Sequence, residues 1–309
     1  MKGGAVTLVI AIALVDSRPA KAEAETALEA DTAIDGALTA GALAATLALL
    51  FVPVDREKRW DTELFLSLDE SVRDNFSTGA ADMSDVLLAT SLVAPLLLQV
   101  QDGFDQAAGQ QSLIYGETLA ASILLNTATK YLVQRPRPYV YNKRPEVQEY
   151  VAQQGDDAHL SFYSGHASTA FSGAIAGSIL YAQDGTTSLG ARVAMWGLEL
   201  GLASATAVLR VRAGKHYYSD VVLGVLIGSA IGILVPALHT SGSGYEPSDA
   251  EWAGMAAGVG IGALVGQIMP LEDSVDSEQL SIADRLRRSL QLMPLATAEG
   301  GGISVSASF

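Results

Sequence analysis

Apolar residues along the chain gather into six long stretches that alternate with polar loops. No stretch shows the sustained period-two alternation of a half-buried strand, and their lengths favour helices. A weaker Gly/Ala-rich stretch follows near 252–269. The pattern therefore predicts an all-α protein with a six-helix core bundle, an extra C-terminal helix and an irregular tail. The six stretches cover residues 36–53, 86–100, 113–133, 165–182, 193–211 and 220–238.

The N-terminal segment has the features of a secretory signal peptide of bacterial type. Lys2 precedes an apolar run at 5–15, and Ala20-Lys21-Ala22 offers a small-x-small cleavage site. An uncleaved anchor helix is the alternative, but eleven apolar residues are few for a membrane span. We therefore expect a signal peptide at 1–22 and an exported protein of the bacterial cell envelope, either periplasmic or membrane-associated.

The remaining chain divides by composition into a bundle and an extension. The helical bundle is expected at 30–240, with the chemically distinctive part at 85–238. The segment "TSGSGYEPSD" then has the composition of a linker. The extension, 241–309, is expected to hold one helix near 252–269 and a flexible tail.

Composition and charge narrow the function classes. The chain is 49% hydrophobic but only 6% aromatic, with 30 glycines and a mean hydropathy of +0.28, which favours packed helices in or beside a membrane. A formal net charge of −15 argues against nucleic-acid binding. The chain has no cysteine, which excludes disulfides and thiolate chemistry. Glu199 in the middle of one stretch weakens a membrane-spanning interpretation of it, so integral and soluble forms both stay open.

The first chemically informative cluster is "KYLVQRPRP", Lys130 to Pro138, at the end of the third stretch. A lysine ammonium and an arginine fork are suited to holding phosphate oxygens, and prolines end a helix and fix the direction of the chain. A basic helix end that complements the helix dipole or a lipid headgroup is the alternative. Five basic residues of this otherwise acidic chain lie within a segment of fifteen positions: Lys130, Arg135, Arg137, Lys143 and Arg144.

The second cluster is "FYSGHAST", where an apolar stretch begins. Ser164 can cap a helix, Gly165 permits close backbone approach, and the free N–H groups of a helix start favour an anion. His166 would then stand in the first turn. A single histidine at a helix entrance is more often structural than catalytic, so this cluster by itself decides nothing.

The third cluster is "RVRAGKHYYSDVVLG", residues 210–224. If a helix begins there, His216 and Asp220 share one face, and the carboxylate can hold one ring nitrogen while the other serves as a nucleophile. Arg210 offers another phosphate fork. A metal site of His166, His216 and Asp220 is an alternative, but the surrounding arginines favour anion binding.

Taken together, the three clusters resemble the tripartite signature of the type 2 phosphatidic acid phosphatase and vanadium haloperoxidase superfamily. The match spans about 85–238 and implies that family's helical bundle. It departs at Tyr163, where the family usually has proline, and at Leu209, where it usually has serine. The matching parts are Lys-x6-Arg-Pro (Lys130, Arg137, Pro138), Ser-Gly-His (Ser164, Gly165, His166) and Arg-x5-His-x3-Asp (Arg210, His216, Asp220).

The resemblance implies a role for each group. His216 would attack phosphorus, Asp220 would fix its tautomer, and His166 would act first as acid and then as base. Arg135, Arg212 and Lys215 are nearby candidates that the motif does not require. No metal ligands are assigned and no cofactor is expected, because cations of the chain would do the electrostatic work. The phosphate-binding groups would be Lys130, Arg137, Ser164, Gly165 and Arg210.

The implied function is a metal-independent phosphatase for phosphomonoesters or pyrophosphates, such as phosphatidate or undecaprenyl pyrophosphate, acting through a phosphohistidine. A soluble periplasmic acid phosphatase of broad specificity is one alternative. A haloperoxidase is the other, in which the same ligands would hold vanadate as cofactor. A non-enzymatic envelope protein or transporter would require the three spacings to be coincidental. We expect two partners, a phosphate ester substrate and a membrane. Among phosphate esters, a lipid phosphate is favoured.

Overall fold

The computed structural model describes residues 28–58, 67–100, 103–183, 187–241 and 244–271, together with the strands at 290–297 and 300–307. The predicted signal peptide and its cleavage site lie outside these residues. The described residues up to 271 form an all-α bundle, as the apolar pattern predicted. Its helices are α1 (Thr32–Leu49), α2 (Thr78–Gln99), α3 (Gln106–Val133), α4 (Pro145–Gln154), α5 (Gly165–Ala182), α6 (Leu189–Arg212), α7 (Tyr218–Leu238) and α8 (Asp249–Ile268).

Helix α5 is the centre of the bundle. It packs against α2, α3, α6 and α7, and fifteen of its eighteen residues are buried. A helix with apolar or small residues on every side is suited to such a position, because it has no polar face that would favour contact with solvent. The beginning of α5 is therefore enclosed by the other helices, and it is there that the second sequence cluster lies.

Glycines on α7 allow that helix to approach α5 closely. A Cβ added at Gly224 would lie 2.7 Å from the carbonyl oxygen of Ser164, and one at Gly228 would lie 2.2 Å from that of Ser168. These separations are too short for any side chain. The close approach positions the N-terminal ends of α5 and α7 beside each other.

The extra C-terminal helix α8 packs along α6 in a similar way. A Cβ added at Gly262 would lie 2.0 Å from the carbonyl oxygen of Gly201, and one at Gly258 would lie 2.2 Å from that of Gly197. The weak Gly/Ala-rich stretch near 252–269 is thus a helix that contacts α6 through Gly258 and Gly262.

Three of the described helices, α1, α2 and α7, are long and apolar enough to cross a membrane by length and composition. Each exposes large apolar side chains, among them Leu47 on α1, Leu97 on α2 and Leu226 on α7. Helix α6 does not belong to this group. It carries Glu199, which is fully buried, and burial raises the pKa of this carboxyl well above its usual value.

Two parts of the chain differ from the sequence-based expectation. The loop after α3 contains the short helix α4 and 3-10 turns at Pro138–Tyr141 and Gly155–His159, which the apolar pattern does not reveal because they bury few side chains. The tail, expected to be irregular, holds an antiparallel hairpin of β1 (Leu290–Thr297) and β2 (Gly300–Ala307). Its second strand contains the short alternation "ISVS", in which β-branched residues favour extended backbone.

Candidate active site

The second sequence cluster begins helix α5, as predicted. Ser164 is the N-cap, and its Oγ accepts a hydrogen bond from the backbone N–H of Ala167 at 3.3 Å. Gly165 and His166 therefore occupy the first turn. The N–H of Ser164 donates to the backbone oxygen of Asp220 at 3.0 Å, which ties the start of α5 to the start of α7.

The third cluster is arranged differently from the expectation. Helix α7 begins at Tyr218 with Tyr217 as its N-cap, so His216 precedes the helix and does not share a helical face with Asp220. The two residues meet because Asp220 closes a capping box: its Oδ2 accepts the backbone N–H of Tyr217 at 3.0 Å. This bond turns the chain so that His216 Nδ1 lies 3.6 Å from Asp220 Oδ2.

The contacts of His216 define which of its nitrogens is free to react. Its Nε2 lies 3.3 Å from Nη1 of Arg137, and a guanidinium can only donate. Nε2 is therefore the unprotonated nitrogen, and the ring proton is on Nδ1, which faces Asp220. His216 is fully buried, so this tautomer presents its lone pair to a cationic interior.

Asp220 is itself held by three donors, and none of them was assigned to this carboxylate from the sequence. Besides the capping bond, it accepts from Nη1 of Arg135 and from Oγ of Ser161, both at 2.5 Å. Arg135 also pairs with the buried Asp69 at 3.1 Å and stacks on the ring of Tyr217. Arg135 therefore anchors the carboxylate instead of joining the anion pocket.

The two arginines of the motif are oriented by acidic partners. Arg137 donates from Nη2 to Oδ1 of Asp157 and from Nε to its backbone oxygen, each at 2.7 Å. These two hydrogen bonds orient the guanidinium so that its Nη1 lies beside His216. Arg210 donates to Oγ of Ser84 at 3.0 Å, and its Nη1 lies 3.7 Å from Oδ1 of Asp85.

His166 is paired with the same aspartate on α2. Its Nε2 lies 2.6 Å from Oδ1 of Asp85, so Nε2 carries a proton. The other ring nitrogen, Nδ1, is left as the atom that can exchange a proton with a bound molecule. The side chains of His166 and Asp85 are 27% and 24% exposed, whereas His216 is 1% exposed. His166 and Asp85 therefore lie at the solvent-accessible end of the site, which we call its mouth, and His216 lies at its buried end. Asp85 was missed because its only sequence signal is a lone acid where an apolar stretch begins.

Lys130 of α3 and Gly165 of α5 lie close together where these two helices meet at the site. A Cβ added at Gly165 would lie 2.6 Å from Oδ1 of Asn126 and 3.5 Å from Nζ of Lys130. Asn126 in turn donates to the backbone oxygen of Tyr163 at 2.8 Å. Glycine is thus required here so that the start of α5 can approach α3, and Tyr163, the departure from the family pattern, is buried behind this contact.

The other two basic candidates have separate partners. Arg212 donates to the backbone oxygens of Gly266 and Met269, at the end of α8, and so lies outside the site. Lys215 bonds to the hydroxyl of Tyr150, while its backbone oxygen accepts from Arg137 at 3.0 Å. Lys215 therefore borders the pocket from the α4 side.

The electrostatics of the site are those of a buried group of cations. Burial and neighbouring arginines lower the pKa of Lys130 to about 7 and that of Lys215 to about 7. The same causes lower the pKa of His216 well below its usual value. For His166, burial and Arg210 lower the pKa to about 4, although Asp85 opposes the shift. Each of these groups would be stabilised in its charged form by a bound anion.

An all-α bundle that places two histidines beside such a group of cations is suited to phosphoryl transfer. The match to known families agrees with this class. Residues 111–241 match the family model described as PAP2 superfamily, which agrees with the resemblance of the three sequence clusters. A match to this family model suggests phosphatase-type activity, that is, hydrolysis of phosphoric esters. Neither a curated protein nor a solved structure gives a significant match.

Proposed function

We propose that this protein is an envelope phosphatase that hydrolyses lipid phosphates through a phosphohistidine on His216. The observation that carries the proposal is the 3.3 Å contact between Nε2 of His216 and Nη1 of Arg137. It supports the proposal because the lone pair of Nε2 lies beside a guanidinium, a group that is suited to holding phosphate oxygens. No metal is needed in this scheme, because Lys130, Arg137 and Arg210 supply the positive charge.

In the first step, Nε2 of His216 attacks phosphorus and the bond to the ester oxygen breaks. The imidazole becomes positively charged, and Asp220, which faces Nδ1, stabilises it. The non-bridging oxygens are held by the cations, by the Ser164 hydroxyl and by the backbone N–H of Gly165. Since His216 is buried and His166 lies at the mouth, the phosphoryl group sits inward and the leaving group outward.

His166 donates a proton to the leaving group in this scheme. The negative charge of the substrate raises the pKa of His166, so the ring can carry the proton that the departing alkoxide takes from Nδ1. In the second step the neutral ring accepts a proton from water as that water attacks the phosphohistidine. Phosphate leaves and both histidines return to their starting forms.

The surroundings of the mouth favour a lipid substrate. Asp85 lies on α2, one of the three helices apolar enough for a membrane, and the next residue, Val86, is 52% exposed. Val93 and Leu97 continue this exposed apolar surface along α2. An alcohol with acyl or prenyl chains leaving at the mouth would meet this surface. We infer that the protein is exported and works at the membrane, where phosphatidate and prenyl pyrophosphates are found.

The decisive test is the phosphoenzyme. The full-length protein, purified in detergent, is mixed with radiolabelled substrate and quenched in base, where a histidine–phosphorus bond survives. We expect a labelled protein that loses its label in acid, and we expect His216→Ala to lose label and turnover together. A His216→Ala protein that kept most of its activity would contradict the proposal.

A substrate panel then assigns the class of ester. Phosphatidate and undecaprenyl pyrophosphate are expected to give higher kcat/KM than a nitrophenyl ester or a sugar phosphate. Higher values for the soluble esters, with release by osmotic shock alone, would instead indicate a periplasmic acid phosphatase. Peroxide-dependent bromide oxidation after vanadate loading is the corresponding assay for a haloperoxidase.

A further inference from the structure

A second group of ionisable side chains lies at the opposite end of α7 from His216. Asp35 is on α1, Glu117 on α3 and His239 at the C-terminal cap of α7. Nε2 of His239 lies 3.4 Å from Oδ2 of Asp35 and 3.3 Å from Oε2 of Glu117, and the three atoms lie within 4.8 Å of one another. The position is nineteen residues (239 − 220) along α7 from Asp220, roughly 28 Å along the helix axis.

The ring of His239 is oriented as in a metal ligand. Its Nδ1 contacts the backbone oxygen of Val235 at 2.8 Å. A carbonyl only accepts, so Nδ1 carries a proton, and the lone pair of the neutral ring is on Nε2. Fixing a histidine tautomer through its second nitrogen is the usual support of a metal-binding histidine.

One of the three ligand atoms is buried and has no hydrogen bond that would explain its position. Within the part of the chain that the structure describes, Oε2 of Glu117 is buried with no hydrogen-bond partner. The side chains of His239 and Asp35 are only 10% and 11% exposed. Two carboxylates directed at one imidazole nitrogen repel each other, and a positive charge at this point, either a bound metal ion or the proton of a charged His239, would offset that repulsion.

The separations suit a small divalent ion. Two ligand atoms bound to tetrahedral zinc at about 2.0–2.1 Å lie roughly 3.3–3.4 Å apart. One imidazole and two carboxylates also form a ligand set that zinc accepts, with water as the fourth ligand. We propose that Asp35, Glu117 and His239 bind a zinc ion that fastens α1 to α3 and α7.

This site is separate from the phosphatase chemistry. It shares no residue with the catalytic group, and its ion would hold helices together without touching substrate. The segment just before α1 adds to the same junction, since the N–H of Glu29 donates to the backbone oxygen of His239 at 2.8 Å. Loss of the ion is therefore expected to loosen α1 and leave the catalytic residues in place.

The test uses the full-length protein in detergent after treatment with a chelator. Titration with Zn²⁺, followed by calorimetry and by thermal unfolding, is expected to show one ion per chain and a higher Tm. Glu117→Gln keeps the shape of the side chain but removes its charge, and it is expected to weaken zinc binding at least about 100-fold. Glu149→Gln, an exposed carboxylate on α4, is the matched control and is expected to bind like the unchanged protein.

The competing arrangement is a protonated His239 paired with both carboxylates and no metal. It predicts no saturable zinc binding and no zinc-dependent rise in Tm, and either result would overturn the proposal. Equal zinc binding by the unchanged protein and Glu117→Gln would overturn it as well. If Glu117→Gln does not fold, Asp35→Asn provides the same comparison. Phosphatase activity of the variant that folds is expected to stay within twofold.

Discussion

Asp85 shows how one side chain from a distant part of the chain determines what a catalytic ring can do. It lies 2.6 Å from Nε2 of His166 and 3.7 Å from Nη1 of Arg210, so it connects the proposed proton-transfer group to the proposed anion pocket. With Nε2 occupied, only Nδ1 of His166 can serve the leaving group. Asp85 also opposes the lowering of the His166 pKa. It is therefore expected to act as a positioning residue.

We expect Asp85→Asn to slow hydrolysis of alkyl phosphates by about 10- to 100-fold, because without its charged partner the pKa of His166 falls further and less of the ring carries the proton that the leaving group needs. A nitrophenyl ester, whose leaving group needs little protonation, should be slowed less than about threefold. His166→Ala should show the same selectivity with a larger loss. The measurement is kcat on both substrates. Equal losses on the two substrates would indicate a structural role for Asp85 instead.

At the scale of elements, glycine spacing determines which helices can touch. On α8, Gly262 faces the backbone of Gly201 on α6, while an added Cβ at Gly260 would meet nothing within 4 Å. The two positions are on one helix and differ only in the face they occupy. They therefore provide a matched pair for measuring how much close packing of α8 contributes.

Gly262→Ala is expected to lower the free energy of unfolding by about 1–3 kcal/mol, because the added methyl forces α8 away from α6. Gly260→Ala should leave it unchanged or raise it by about 0.5–1 kcal/mol, since alanine favours a helix. Thermal or denaturant unfolding in detergent would measure both. Similar destabilisation by the two changes would show that α8 does not depend on this glycine contact.

For the whole molecule, the two histidines of the site, which are neutral in the folded chain at neutral pH, imply a characteristic dependence of stability on pH. The pKa of His166 is lowered to about 4 and that of His216 lies well below 6.5, so the unfolded chain binds more protons than the folded one below about pH 6.5. Stability is therefore expected to rise with pH through this window and to be lost as pH falls from 6.5 toward 4. A bound anion would raise both pKa values and reduce the loss.

We expect Tm to fall as the pH is lowered from 7 to 4.5, corresponding to about 1–3 kcal/mol of unfolding free energy, and vanadate or phosphate to reduce the fall. His166→Asn should remove part of the slope, because asparagine does not titrate. The measurement is a series of unfolding curves with and without the anion. A Tm that is flat over this range would contradict the assignment of buried neutral histidines.

The motif residues could be found from the sequence because the chemistry restricts both residue type and spacing. Lys130, Arg137, His166 and His216 are rare side chains in an apolar, acidic chain, and their order matched a known family. Their supporting carboxylates could not be found in the same way. Asp69, Asp85 and Asp157 are three of many acids, and nothing in their local sequence indicates which cation each one meets.

The sequence by itself determined the all-α class and the approximate positions of the main helices, and it predicted eight residues for the candidate site. Those features depend on local periodicity, on capping and on residue chemistry, all of which can be read along the chain. Only the tertiary structure decided that Asp220 reaches His216 through a capping box, that Asp85 reaches His166, and that Asp35, Glu117 and His239 meet. Contacts of this kind depend on how closely helices approach and on their rotation about their axes, and these follow from packing of the whole bundle.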